Sequence, residues 1–113
     1  MNKQVKAQWL TALRSGHYKQ GHKCLRPSDA YCCLGVLCDL YDATQWQPSK
    51  GSQGELYSYG KSGNYIYPPD AVWQWAGIDP DVYAENVGAD LARMNDEKEM
   101  SFYQIADWIA ANL

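Results

Sequence analysis

Apolar positions recur at helical spacing over residues 2–15, where Val5, Trp9, Ala12 and Leu13 share one face and Ser15-Gly16 supplies a stop. The spacing predicts an amphipathic helix. The densest apolar run in the chain follows at residues 31–41, YCCLGVLCDLY. Tyr31, Leu34, Leu37, Cys38 and Tyr41 recur there at three- and four-residue steps, Cys33, Val36 and Leu40 widen the apolar surface, and only Asp39 and Asp42 look towards water. A short apolar run of this kind also suits a buried strand, but its length and its excess of Leu and Cys over β-branched residues favour a helix. We read it as the core helix, capped by Ser28 or Asp29. Gly35 in its interior costs about 1 kcal/mol relative to Ala, so it is expected to admit a second backbone.

Between these helices the stretch GHYKQGHKCLRPSDA holds two glycines, a proline and a Ser-Asp pair, which predicts a loop anchored by Tyr18, Cys24 and Leu25. Residues 43–54 are polar, with Trp46 and Pro48 as anchors. ELYSYG and NYIYP flank Lys61-Ser62-Gly63, and their alternation predicts a Tyr-rich hairpin. Pro68-Pro69-Asp70 opens a short helix through Ala76, with Val72, Trp73 and Ala76 inward and Gly77 as the stop. Leu91, Ala92 and Met94 suggest a turn or two of helix before Asn95-Asp96. Ser101 and Gln104 form a capping box for a last helix that buries Phe102, Ile105, Ala106, Trp108 or Ile109, and Leu113. The expected fold class is α+β: a compact, mainly helical single domain, residues 1–113, with a Tyr-rich β-hairpin.

At 113 residues the chain is long enough for one core without staples. No apolar run approaches a membrane span, and the first twenty residues lack a signal-peptide block, so a cytoplasmic protein is expected. Cys32, Cys33 and Cys38 crowd into one helix where they pair poorly, which reads as reduced, buried thiols of a reducing compartment. Charge is uneven. Residues 1–28 carry six cations and no acid, whereas the remaining 85 carry four cations and thirteen acids. Aromatics are in excess, with nine Tyr and five Trp against one Phe.

Four ordered pieces, LRSGHYKQGHKCLR, YCCLGVLCDLY, PPDAVWQWAG and LARMND followed by SFYQIADWIAANL, resemble a family of small proteins encoded by bacteriophages and prophages. The likeness spans most of the chain except residues 43–64. It departs after Asn95-Asp96, which here leads into Glu97-Lys98-Glu99-Met100 rather than a short Gly turn. The resemblance implies a phage-encoded viral protein acting in the bacterial host's cytoplasm. By analogy it implies an anti-defence role, since some small phage inhibitors of immunity sequester nucleotide messengers without cleaving them.

Arg14, His17, Lys19, His22, Lys23 and Arg26 are the leading site candidates, because a Gly-punctuated basic loop can wrap a phosphate or carboxylate. Tyr18 and the hairpin rings Tyr57, Tyr59, Tyr65 and Tyr67 would stack on the base of a nucleotide-like ligand or close against a second subunit as a homo-oligomer. The bland alternatives are a solvated basic patch and rings that simply cover a Phe-poor core. Metal spacing is wrong: C-x-x-C and H-x-x-x-H are absent, so neither metal nor cofactor is expected. Catalysis is not expected either, since only Cys24 is placed as an exposed thiol and the carboxylates lack visible pairs, which leaves a small hydrolase of nucleotide-like substrates as a third reading. Duplex nucleic acid fits poorly with the acidic balance. The sequence therefore favours a non-catalytic protein that sequesters a small anionic, nucleotide-like ligand, a nucleotide sponge. The alternative is an inhibitor that docks exposed aromatics on a host protein.

Overall fold

Residues 1–49, 55–61, 63–81 and 85–113 are described by the structure, a computed structural model. Of the segments read above, 50–54 and Ser62 in the hairpin connection lie outside them. Helix α1, Lys3–Arg14, starts at Asn2, whose side chain accepts from the Gln4 and Val5 amides, and turns Val5, Trp9 and Leu13 into the core. Its Trp9 indole donates to the Cys33 carbonyl at 3.0 Å, which ties it to the next helix.

That helix, α2, spans Cys33–Asp42, two residues later than its apolar pattern suggests, and every residue from 32 to 38 is buried. The shift has a backbone cause. Tyr31 gives its amide to Lys19 and its carbonyl to the Gly21 amide, both at 2.8 Å, so it is held extended and cannot open a helix. Capping passes from the expected Ser28 or Asp29 to Cys32, whose sulfur accepts from the Gly35 amide at 3.4 Å. Gly35 meets the expectation placed on it: a Cβ there would collide with the Leu25 carbonyl.

Strands β1, Trp46–Pro48, and β2, Tyr57–Tyr59, pair antiparallel, with Trp46 opposite Tyr59. The α+β class holds and the hairpin is Tyr-rich, but the strand that pairs with Tyr57–Tyr59 is Trp46–Pro48, ahead of it in the chain, rather than the NYIYP segment after it. Tyr59 meets Asn64 in a single bridge, after which the Tyr65 carbonyl accepts from Leu25 and draws the chain off the ladder. Helix α3, Asp70–Trp75, buries Val72 and Trp73 and ends at Gly77, whose φ is 76°. Helix α4, Glu85–Asp96, is longer than the turn or two legible in the sequence. Asn86 and Gly88 mask it by lowering helix propensity, yet Gly88 is buried, and a Cβ there would crowd Trp73 and Tyr67. Helix α5, Phe102–Asn112, carries the expected capping box and buries Ile109 in preference to Trp108. Helices α1 to α5 and Tyr59 share one core. Among the described residues no helix is long and apolar enough to cross a membrane.

Candidate functional site

The basic loop between α1 and α2 folds back on itself. Gly16, Lys23 and Ser28 adopt positive φ at 77°, 77° and 59°, and Gly21 packs where a Cβ would strike Pro27 and Ala30. The loop divides into two halves of different character.

Residues 20–23 are knitted to the turn between α4 and α5. Asn95 is fully buried; its amide nitrogen donates to the Gly21 carbonyl and to Asp96, both at 2.8 Å, and its oxygen accepts from Gln20 at 3.0 Å. Gln20 also donates to the Met100 carbonyl at 2.8 Å. His22 Nδ1 lies 2.9 Å from the Asn95 carbonyl and so carries the proton it donates, and the Lys23 amide donates to Asp96 at 2.9 Å. A buried polar network satisfied in this way fixes a loop.

Arg26 stands in a different setting. Its guanidinium carbon lies 4.1 Å from the ring centre of Tyr57, 5.1 Å from that of Tyr31 and 5.5 Å from that of Trp46. Nε donates to the Ser28 carbonyl at 3.3 Å, and among the described residues no carboxylate pairs with the guanidinium. Tyr31 is edge-on to Tyr18 at 5.1 Å and to Trp46 at 5.9 Å, while Trp46 is edge-on to Tyr59 at 4.8 Å. Behind the rings Asp39 accepts from the Tyr18 hydroxyl at 2.6 Å and from the Trp46 indole at 3.0 Å. Burial, then the bond to Asp39, pushes the Tyr18 phenol well above its ordinary range. Burial also raises that of Tyr31, with Asp39 adding and Arg26 opposing. Neither the Tyr31 nor the Tyr57 hydroxyl has a hydrogen-bond partner among the described residues. A guanidinium stacked in this way has Nη donors that no described residue engages, and their planar fork suits a phosphate or carboxylate.

The other candidates are dispersed. Arg14 pairs with Asp107 of α5 at 2.8 Å, Lys19 with Asp29 at 3.7 Å, and Lys23 reaches Asp96 only through its backbone. The structure therefore brings Arg26 and Tyr57 together, with Tyr18 one ring away, and leaves Arg14, Lys19 and Lys23 beside separate carboxylates. Tyr59 is core: it is fully buried, and its hydroxyl donates to the Cys38 and Asp42 carbonyls at 2.9 and 2.8 Å. Tyr65 and Tyr67 are exposed, flanking Ile66. His17 and Tyr18 line a cleft of about 540 Å³ with Ala7, Gln8, Thr11, Ala12, Ser15 and Leu40.

Sequence reasoning assigned Tyr31 to the core helix and Trp46 to a loop anchor, and so missed both as walls around Arg26. The surplus of Tyr and Trp hinted at such walls without locating them. All four thiols are free. Burial pushes Cys32 up to about 12, raises Cys33 and Cys38 well above the ordinary thiol range, and raises half-buried Cys24. None of the four is poised as a thiolate nucleophile. Among the described residues no cluster of three His, Cys, Asp or Glu stands ready for a metal ion.

Neither a curated protein nor a solved structure matches the chain. A family model described as a domain of unknown function, DUF8296, matches residues 1–113, and the chain belongs to that family.

Proposed function

We propose that this protein binds a small anionic, nucleotide-like molecule and holds it unaltered, with Arg26 as the anion contact and Tyr57, Tyr31 and Trp46 as its aromatic surround. The observation that carries the reading is the Arg26 guanidinium, held 4.1 Å over Tyr57 without a carboxylate partner among the described residues. Stacking fixes the fork before a ligand arrives, so less side-chain freedom is lost on binding. A charge-assisted contact contributes about 1.5–3 kcal/mol, and a base stacked on an exposed ring face about 1–3 kcal/mol. Together they amount to about 2.5–6 kcal/mol, which corresponds to binding between the millimolar and the tens-of-micromolar range for a preorganised ligand. In the phage setting that the sequence motifs resemble, such binding would withdraw a nucleotide messenger from bacterial immune signalling.

Calorimetry against mononucleotides, cyclic dinucleotides and pyrophosphate tests this reading. At least one should bind saturably and be recovered intact. Arg26→Ala should weaken it by about tenfold or more, the worth of one charge-assisted bond, with Arg26→Lys also defective because an ammonium lacks the planar fork. Unchanged affinity in Arg26→Ala sinks the reading, and recovery of a cleaved ligand replaces it with a hydrolase.

A second reading is favoured by a separate observation. Tyr65, Ile66 and Tyr67 are consecutive and 46%, 37% and 45% exposed, yet their backbone is anchored through the Tyr65 carbonyl on the Leu25 amide. A fixed loop presenting two Tyr and an Ile suits contact with a host protein or a second copy of this chain. Light scattering and pull-down with Tyr65→Ser/Tyr67→Ser measure it.

A further inference from the structure

We infer that the cleft between α1 and α2 is the second half of the Arg26 site and takes the uncharged, planar ring of the same ligand. The inference rests on the anion reading above and adds to it where the rest of the molecule lies. Two rings link Arg26 to the cleft. The Arg26 guanidinium carbon is 5.1 Å from the Tyr31 centroid, that centroid is 5.1 Å from the Tyr18 centroid, and Tyr18 is a wall of the cleft. A phosphate, a sugar and a base cover a span of that order.

The cleft's chemistry suits a nucleobase better than an anion. Ala7, Gln8, Thr11 and Ala12 of α1 and its C-cap Ser15 line the cleft beside the core face of Val5, Trp9 and Leu13, and Leu40 of α2 lines it as well. Alanine methyls, Leu40 and the Tyr18 ring offer apolar surface. Gln8, Thr11 and His17 also line the cleft, and none of these three side chains makes a hydrogen bond within the described residues, so donors and acceptors remain for the edge of a base. No Lys or Arg lines the cleft, and it adjoins the C-terminal turn of α1, where the helix dipole disfavours negative charge. A ligand with one charged and one neutral end therefore has a single favourable orientation, phosphate on Arg26 and base beside Tyr18.

Titration of adenosine 5′-monophosphate and ribose 5-phosphate into the full chain separates the two halves. The nucleotide should bind at least about tenfold tighter than the sugar phosphate, the contribution of one stacked base. Thr11→Trp, which fills the cleft from an exposed helical position, should abolish that advantage and leave ribose 5-phosphate affinity unchanged. Amide NMR shifts at Thr11, Ser15 and His17 should move with the nucleotide and stay still with the sugar phosphate; they serve as the readout if the Trp variant folds poorly. Equal affinities for the two probes, or still amides, overturn the subsite while Arg26-dependent binding of ribose 5-phosphate leaves the anion reading standing. If neither probe nor pyrophosphate binds in an Arg26-dependent way, both fall together.

Discussion

The two halves of the basic loop are built from similar residues and end in opposite states. In residues 20–23 the polar groups that face the protein are spent on Asn95, Asp96 and Met100, so that half is a fastening. In residues 26–31 a guanidinium and a phenol lie against rings, with donors left for something else. Cations on a loop thus say little about binding by themselves. What separates a strut from a site is whether the polar atoms already have partners.

Alkali tests the helix on which both halves lean and should give the largest effect. Cys32, Cys33 and Cys38 hold their protons in the fold to higher pH than in the unfolded chain, whose thiols titrate near about 8.5. The stability they contribute is complete below that value and is lost as pH rises towards their folded values. The loss should reach up to about 2 kcal/mol per thiol at pH 10, read from urea midpoints between pH 7 and 10. Asn95→Ala should cost about 3 kcal/mol by stranding the Gly21 carbonyl and the Gln20 amide, and the folded fraction should bind ligand normally. A ligand defect greater than the stability loss would erase the contrast between the halves. Arg26→Ala should reverse the pattern: its cation–π contacts contribute about 1 kcal/mol to stability, while ligand affinity drops. Smallest of all, His17→Ala should shift the unfolding midpoint by no more than about 0.5 kcal/mol and act, if at all, on base preference.

Much of the fold was legible from local pattern. α1, α2, the short helix after Pro69 and the capping box at Ser101 each carry their signal within a few residues, because 3.6-residue periodicity and capping are local physics. The hairpin was only half legible. Alternation marked residues 57–59 as a strand, but nothing local chooses between Trp46 and Tyr65 as neighbour, since strand pairing is set by contacts distant in sequence. The site shows the same limit. Arg26, Tyr57 and Tyr18 were marked by residue type, whereas Arg14 and Lys19 looked equally eligible until Asp107 and Asp29 were found beside them.

The sequence by itself determined a helical α+β chain with a thiol-rich core helix, a Gly that admits a backbone, a basic loop and a surplus of Tyr and Trp. Only the tertiary structure decided which cation of the loop lies against rings and which rings surround it. That choice depends on Asp107, Asp29, Asp96, Trp46 and Tyr57 being carried to particular points of the loop from elsewhere in the chain. Periodicity reports which face of an element is buried; it does not report what that element meets.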